Sequence, residues 1–150
     1  MPEREVDPRR LAWVGPLTIM SSIAAVLIVR SVALRVVSRP PRFAPLGIGP
    51  PIVDTAVLVA AAVIVFAVVA GTSANPCRLY RRIALAALVT SFIPDLLLPG
   101  RWRGATWAIA AALMTMHVAA WRVTVTMLTT LTMTRVNDSG AEPLSSRSAQ

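Results

Sequence analysis

The sequence predicts an all-α protein, a four-transmembrane-helix antiparallel bundle with short disordered termini, and three observations carry that reading. The 150 residues are 55% hydrophobic and only 15% charged, where soluble domains run at about 45–50% apolar and about a quarter charged. The apolar residues form four runs of roughly bilayer thickness, and the mean hydropathy is +0.65. Arginines gather where those runs end, as membrane topology signals do. This composition argues against a soluble enzyme, a secreted disulfide scaffold and a disordered tail, and the length suits one domain.

Residues 1–10, MPEREVDPRR, read as a disordered polar tail. Leu11–Val29 carries no charge over 19 residues, about 28 Å of helix, and apolar residues continue past Arg30, giving a first span over 11–37. A cleaved signal peptide is the competing reading. Its apolar core would be shorter and would end at a small-residue cleavage site, so a retained anchor is favoured. The segment Ser38–Pro51 holds five of the 12 prolines, which makes it a stiff extended connection. Phe43, Leu46 and Ile48 would let it lie along the membrane surface.

The second span is expected over 52–71, with Ala56, Ala60, Ala67 and Gly71 as a small-residue stripe of the kind that lets membrane helices approach. The third, over 82–99, is opened by Tyr80, Arg81 and Arg82, contains Pro94 and Asp95, and stops at Pro99-Gly100. The fourth, over 104–134, begins after Arg103 with a second stripe of Gly104, Ala108 and Ala112. It includes His117, and its Thr- and Met-rich end runs to about Arg135. Residues 136–150 read as a disordered tail. Trp13, Tyr80, Trp102, Trp107 and Trp121 all fall near span ends, where amphipathic rings prefer the interface.

The charge pattern narrows function. All 15 basic residues are arginine, so no lysine offers Schiff-base chemistry; GC-rich coding accounts for that bias. A net charge of +8 would suit nucleic acid, but the arginines sit at span ends and no nucleic-acid partner is expected. The single Cys77 excludes an internal disulfide, a CxxC redox pair and a cysteine zinc site. With four spans, the termini and the second connection share a side that carries eight arginines against six opposite. The excess favours cytoplasmic termini and, for a bacterial protein, the inner membrane.

Ionisable residues inside a span are site candidates by default: Arg30, Asp54, Asp95, His117 and Arg122. At about 1.5 Å per residue, Asp95 lies about 20 Å from the cytoplasmic boundary and Arg30 near the outer one, so a long arginine side chain would reach it. His117 falls roughly 10 Å from Asp95 in depth by the same arithmetic, and a direct Asp–His pair would need tilt or a shifted fourth helix. The expected site is therefore an Arg30–Asp95 pair above a polar layer of Ser21, Ser91 and His117. The bland alternative is interhelical glue without chemistry. A lone histidine with no second ligand gives no metal or haem site, and no cofactor is expected. A Ser91–His117–Asp95 nucleophile triad lacks an oxyanion hole.

Several short motifs carry a resemblance: Trp13-Val14-Gly15-Pro16-Leu17, Leu27-Ile28-Val29-Arg30, Phe43-Ala44-Pro45-Leu46, Gly49-Pro50-Pro51-Ile52-Val53, Ser91-Phe92-Ile93-Pro94-Asp95 and Met116-His117-Val118-Ala119-Ala120. Over residues 11–134 the chain resembles a bacterial family of uncharacterised four-helix integral membrane proteins, a domain of unknown function. The resemblance implies the four-span fold and draws attention to Arg30, Asp95 and His117, but it implies no activity.

Three functions compete. The first is a non-enzymatic membrane or accessory protein, associating with itself or a membrane partner through its small-residue faces. The second is a small oligomeric proton-coupled transporter using Asp95 and Arg30. Four-span multidrug exporters are similar in size but use a glutamate in the first helix, and none is present here. The third, a membrane oxidoreductase using quinone or haem, is opposed by the single histidine and lone cysteine.

Overall fold

The structure is a computed structural model that describes residues 4–6, 8–37 and 46–135. The expected disorder of residues 1–3, 7 and 136–150, and the part of the proline-rich connection at 38–45 with Phe43, lie outside the described residues. Four helices follow in order: α1 over Pro8–Val36, α2 over Gly49–Thr72, α3 over Pro76–Arg101 and α4 over Trp107–Leu131. Each is long and apolar enough to cross a membrane. The four-helix bundle read from the apolar runs is the architecture of the protein.

Helix limits differ from the predicted spans for local reasons. In α3, Pro76 sits in the first turn, where its missing N–H has no helical partner to lose, so the helix starts six residues before Arg82. Arg78, Arg81 and Arg82 are exposed helical residues. The charges mark a polar boundary, not the end of the helix. The same helix continues through Pro94 and Pro99, as proline is tolerated in apolar helices whose neighbours re-satisfy the freed groups. It closes with Trp102 N–H donating to the Leu98 carbonyl at 3.0 Å.

Gly104 lies in the connection, not on a helix, with φ 83°, a left-handed conformation that favours glycine. It therefore takes no part in the expected stripe; of the other two, Ala108 is exposed and Ala112 buried. Thr106 then caps α4, its hydroxyl accepting from Ile109 N–H at 3.3 Å. At the far end α4 stops at Leu131, short of residue 134. Residues Met133–Arg135 form a short strand, β2, antiparallel to β1 at Arg4–Val6, with Val6 opposite Met133. The reading of residues 1–10 as a disordered tail is corrected for Arg4–Val6, held by that pairing, and for Pro8–Arg10, which belong to α1.

α1 packs most extensively on α4 and then on α2, and α3 leans on α4, leaving α2 and α3 more thinly joined. Where α1 meets α2, Gly15 is buried, and a Cβ there would come within 3.3 Å of Val63. Two apolar clusters tie the bundle. Val14, Phe66, Val69, Tyr80, Val125 and Leu128 fill one end, with the Phe66 and Tyr80 rings edge-to-face at 4.9 Å. Val26, Leu46, Ile109 and Met116 fill the other.

Three surface expectations are corrected here. Leu46 is fully buried, so it pins the connection into the bundle and does not lie along the membrane. Tyr80 is buried in the first cluster and Trp121 packs against it, so both are interior rings, whereas Trp13, Trp102 and Trp107 are exposed. Large apolar side chains such as Met20, Ile28, Val57, Ile64 and Val89 face outward, an apolar surface far beyond what soluble monomers present.

Candidate intramembrane site

Asp95 and His117 meet across the α3–α4 interface, with His117 Nδ1 3.1 Å from Asp95 Oδ2. The sequence arithmetic placed them about 10 Å apart in depth, and two features remove that offset. Asp95 lies six residues before the end of α3 and His117 ten after the start of α4, a difference of about 6 Å in rise. Side chains also tilt toward the N-terminus of their own helix. On antiparallel helices the two tilts converge: Asp95, nearer the turn, points away from it, and His117, farther along, points back toward it.

Arg30 does not pair with Asp95. Its Nε donates to the carbonyls of Leu46 and Gly47 at 3.1 and 3.2 Å, so it holds the connection entering α2. The guanidinium is drawn there because the buried Leu46 brings two carbonyls to the end of α1, closer than a carboxylate on α3. The polar layer is also rearranged. Ser91 donates to the Leu88 carbonyl of its own helix at 2.7 Å and forms no triad with His117. On α1 the buried serine is Ser22, which shares a 3.2 Å hydrogen bond with Thr124 of α4, while Ser21 is half-buried. Of the five expected site residues, Asp95 and His117 come together; Arg30, Ser21 and Ser91 do not join them.

His117 Nδ1 also lies 3.0 Å from the Leu113 carbonyl, toward which the ring N–H is directed. Asp95 Oδ2 therefore stands beside the imidazole without an aligned hydrogen bond. With oxygen acceptors on both sides of Nδ1, that nitrogen carries the proton in the neutral ring, and Nε2 remains to accept one. The Asp95 side chain is buried, at 7% exposure. A carboxylate so placed is paired or neutral.

The pair forms the inner wall of a cleft of about 630 Å³ between α2, α3 and α4, at the thin α2–α3 junction. Leu58, Val59, Ile93, Leu97, Leu113 and Met116 supply apolar walls. Asp54 from the second turn of α2 and Arg101 from the last turn of α3 line the outer end, and both are exposed. The sequence singled out Asp54 but not Arg101 or Val26, because pattern alone does not say which faces of three helices share one space. Among the described residues no three His, Cys, Asp or Glu side chains converge, so the pair has no third ligand for a metal. The chemistry available is proton exchange and charge pairing inside an apolar cleft.

Comparison of the chain with protein-family models, curated proteins and solved structures finds no match.

Proposed function

We propose that the protein is a non-enzymatic, multi-pass membrane protein of the small carrier type, in which a ligand enters the α2–α3–α4 cleft and its occupancy is linked to protonation of the Asp95–His117 pair. One observation carries the reading: a buried carboxyl beside an imidazole, on the wall of a drug-sized cleft. An intramembrane ionisable pair is expensive without a role. His117, and not Arg30, is the partner of Asp95. The proposed setting is the inner membrane of a bacterium with both termini cytoplasmic, supported by eight arginines on that side against six. The motif resemblance to the four-helix bacterial family agrees with this setting.

A second reading, assembly with another copy or a membrane partner, is favoured by a separate feature. Ala67 and Gly71 lie four apart and exposed on α2, with open space beside Gly71, the kind of face on which membrane helices approach closely. The two readings are compatible, since a small carrier of this size can work as an oligomer.

The carrier reading is tested with dicyclohexylcarbodiimide, an apolar reagent that attacks protonated carboxyls, followed by mass spectrometry of the purified chain. Asp95 is expected to be labelled, less so as pH rises, with no adduct at that position in Asp95→Asn and unchanged labelling in Arg30→Ala. Absence of labelling at every pH, or labelling indifferent to pH, removes the proton-linked site.

A further inference from the structure

We infer that the cleft takes a lipophilic monocation, held against the Asp95 carboxylate and exchanged there for one proton. The inference rests on the carrier reading above and names its ligand class. Charge decides the sign. The ionisable groups lining the cleft are Asp54 from α2, Asp95 and Arg101 from α3, and His117 from α4, while α1 contributes only Val26. Without the proton that the Asp95–His117 pair shares, two carboxylates against one guanidinium leave the cleft one negative charge, which either that proton or one monocation neutralises.

Position strengthens the sign. Arg101 is exposed at the outer end, where water screens it. Asp95 is buried at the inner wall, where screening is weak and a charge without a counter-charge is costly. An anion entering the cleft would meet that carboxylate with only a neutral imidazole beside it. A monocation would complete it.

The remaining wall is apolar, so the cation must carry apolar bulk instead of a hydration shell. A bare inorganic ion would have to exchange its waters for leucine, isoleucine and methionine side chains. A volume of about 630 Å³ lies in the range of drug-sized pockets, roughly 300–1,000 Å³.

The exchange balances. In the empty cleft one proton is shared by the Asp95 carboxylate and His117, in addition to the proton on Nδ1, and the pair is neutral. When the cation arrives, that proton leaves to water by way of Nε2 or the carboxyl. Carboxylate, neutral imidazole and cation again sum to zero charge, and no covalent bond or electron changes hands.

The test uses the full chain in lipid nanodiscs, with tetraphenylphosphonium as probe and tetraphenylborate as a control of matching shape and opposite charge. Equilibrium dialysis measures binding, and a weakly buffered bath measures proton release. Saturable phosphonium binding with one proton released per cation is expected, and no saturable borate binding. Asp95→Asn should weaken phosphonium binding by about tenfold or more and abolish the release, while Asp95→Glu keeps both if the amide variant fails to fold. Asp54→Asn, at the outer end, should weaken binding by less than Asp95→Asn does.

Equal affinity for borate, undiminished binding in Asp95→Asn, or binding without proton release each overturns the inference. If carbodiimide labels Asp95 in a pH-dependent way while phosphonium does not bind, the ligand class is wrong and the carrier reading stands. If neither occurs, both fall.

Discussion

At the scale of single residues, the Asp95–His117 pair is asymmetric, and the asymmetry is measurable. Asp95 is almost wholly buried, while the His117 side chain keeps 33% exposure and a second partner in the Leu113 carbonyl. Removing the imidazole strands a buried carboxyl, whereas removing the charge from Asp95 leaves a histidine that is still hydrogen-bonded. His117→Ala should therefore destabilise the bundle by about 1–3 kcal/mol, the range for a buried polar group left unsatisfied. Asp95→Asn should cost less, and thermal unfolding in detergent micelles gives the comparison. Equal losses would show that the two side chains do not depend on each other in this way. A second contrast separates neighbouring serines. Ser22→Ala removes the 3.2 Å bond to Thr124 and should cost about 0.6 kcal/mol, an average membrane interhelical bond. Ser21→Ala should leave the unfolding temperature unchanged. A reversed order would put the serine layer back where the sequence placed it.

At the scale of elements, Arg30 is a clamp between α1 and the start of α2, because its Nε reaches two carbonyls of the connection. Arg30→Ala should raise amide hydrogen exchange across residues 46–52 while leaving carbodiimide labelling of Asp95 intact. Faster exchange around Asp95 instead would restore Arg30 to the site. The existence of the helices was legible from length and hydropathy, since uncharged runs such as Leu11–Val29 permit little else in a bilayer. Their ends were less legible. Charge marks where lipid gives way to water, but α3 runs through Arg81 and Arg82 and past Pro99, and capping at Thr106 set the start of α4. The site was half legible. Asp95 and His117 were identifiable as costly intramembrane groups, but their meeting depended on the convergent tilt of antiparallel side chains. Arg30 was misassigned because nothing in the residue pattern marks Leu46 as buried, bringing two carbonyls with it. Thr124 as the partner of Ser22 was hidden in a threonine-rich stretch that reads as a plain extension of the helix.

At the scale of the whole molecule, four membrane crossings fix one relation independent of orientation: the 73–75 connection and the 102–106 connection lie on opposite faces. β1 pairs with β2, which independently brings the two ends of the bundle together on the side of the 73–75 connection. The outer end of the cleft is lined by Asp54 and Arg101, so it lies on the side of the 102–106 connection. Orientation thus decides from which compartment a ligand enters. In the proposed orientation, with the termini in the cytoplasm as the arginine excess favours, the cleft end faces outward. The sole native cysteine, Cys77, can be replaced by serine to give a background for single-site labelling. In that background the Ala74→Cys and Arg103→Cys variants each carry one thiol at an exposed position. A membrane-impermeant maleimide added to intact spheroplasts should modify the Arg103→Cys variant and spare the Ala74→Cys variant until the membrane is opened. The reverse pattern would invert the bundle, with cytoplasmic entry to the cleft. Modification of both in sealed cells would contradict four crossings altogether, because two connections separated by a single membrane helix cannot share a face.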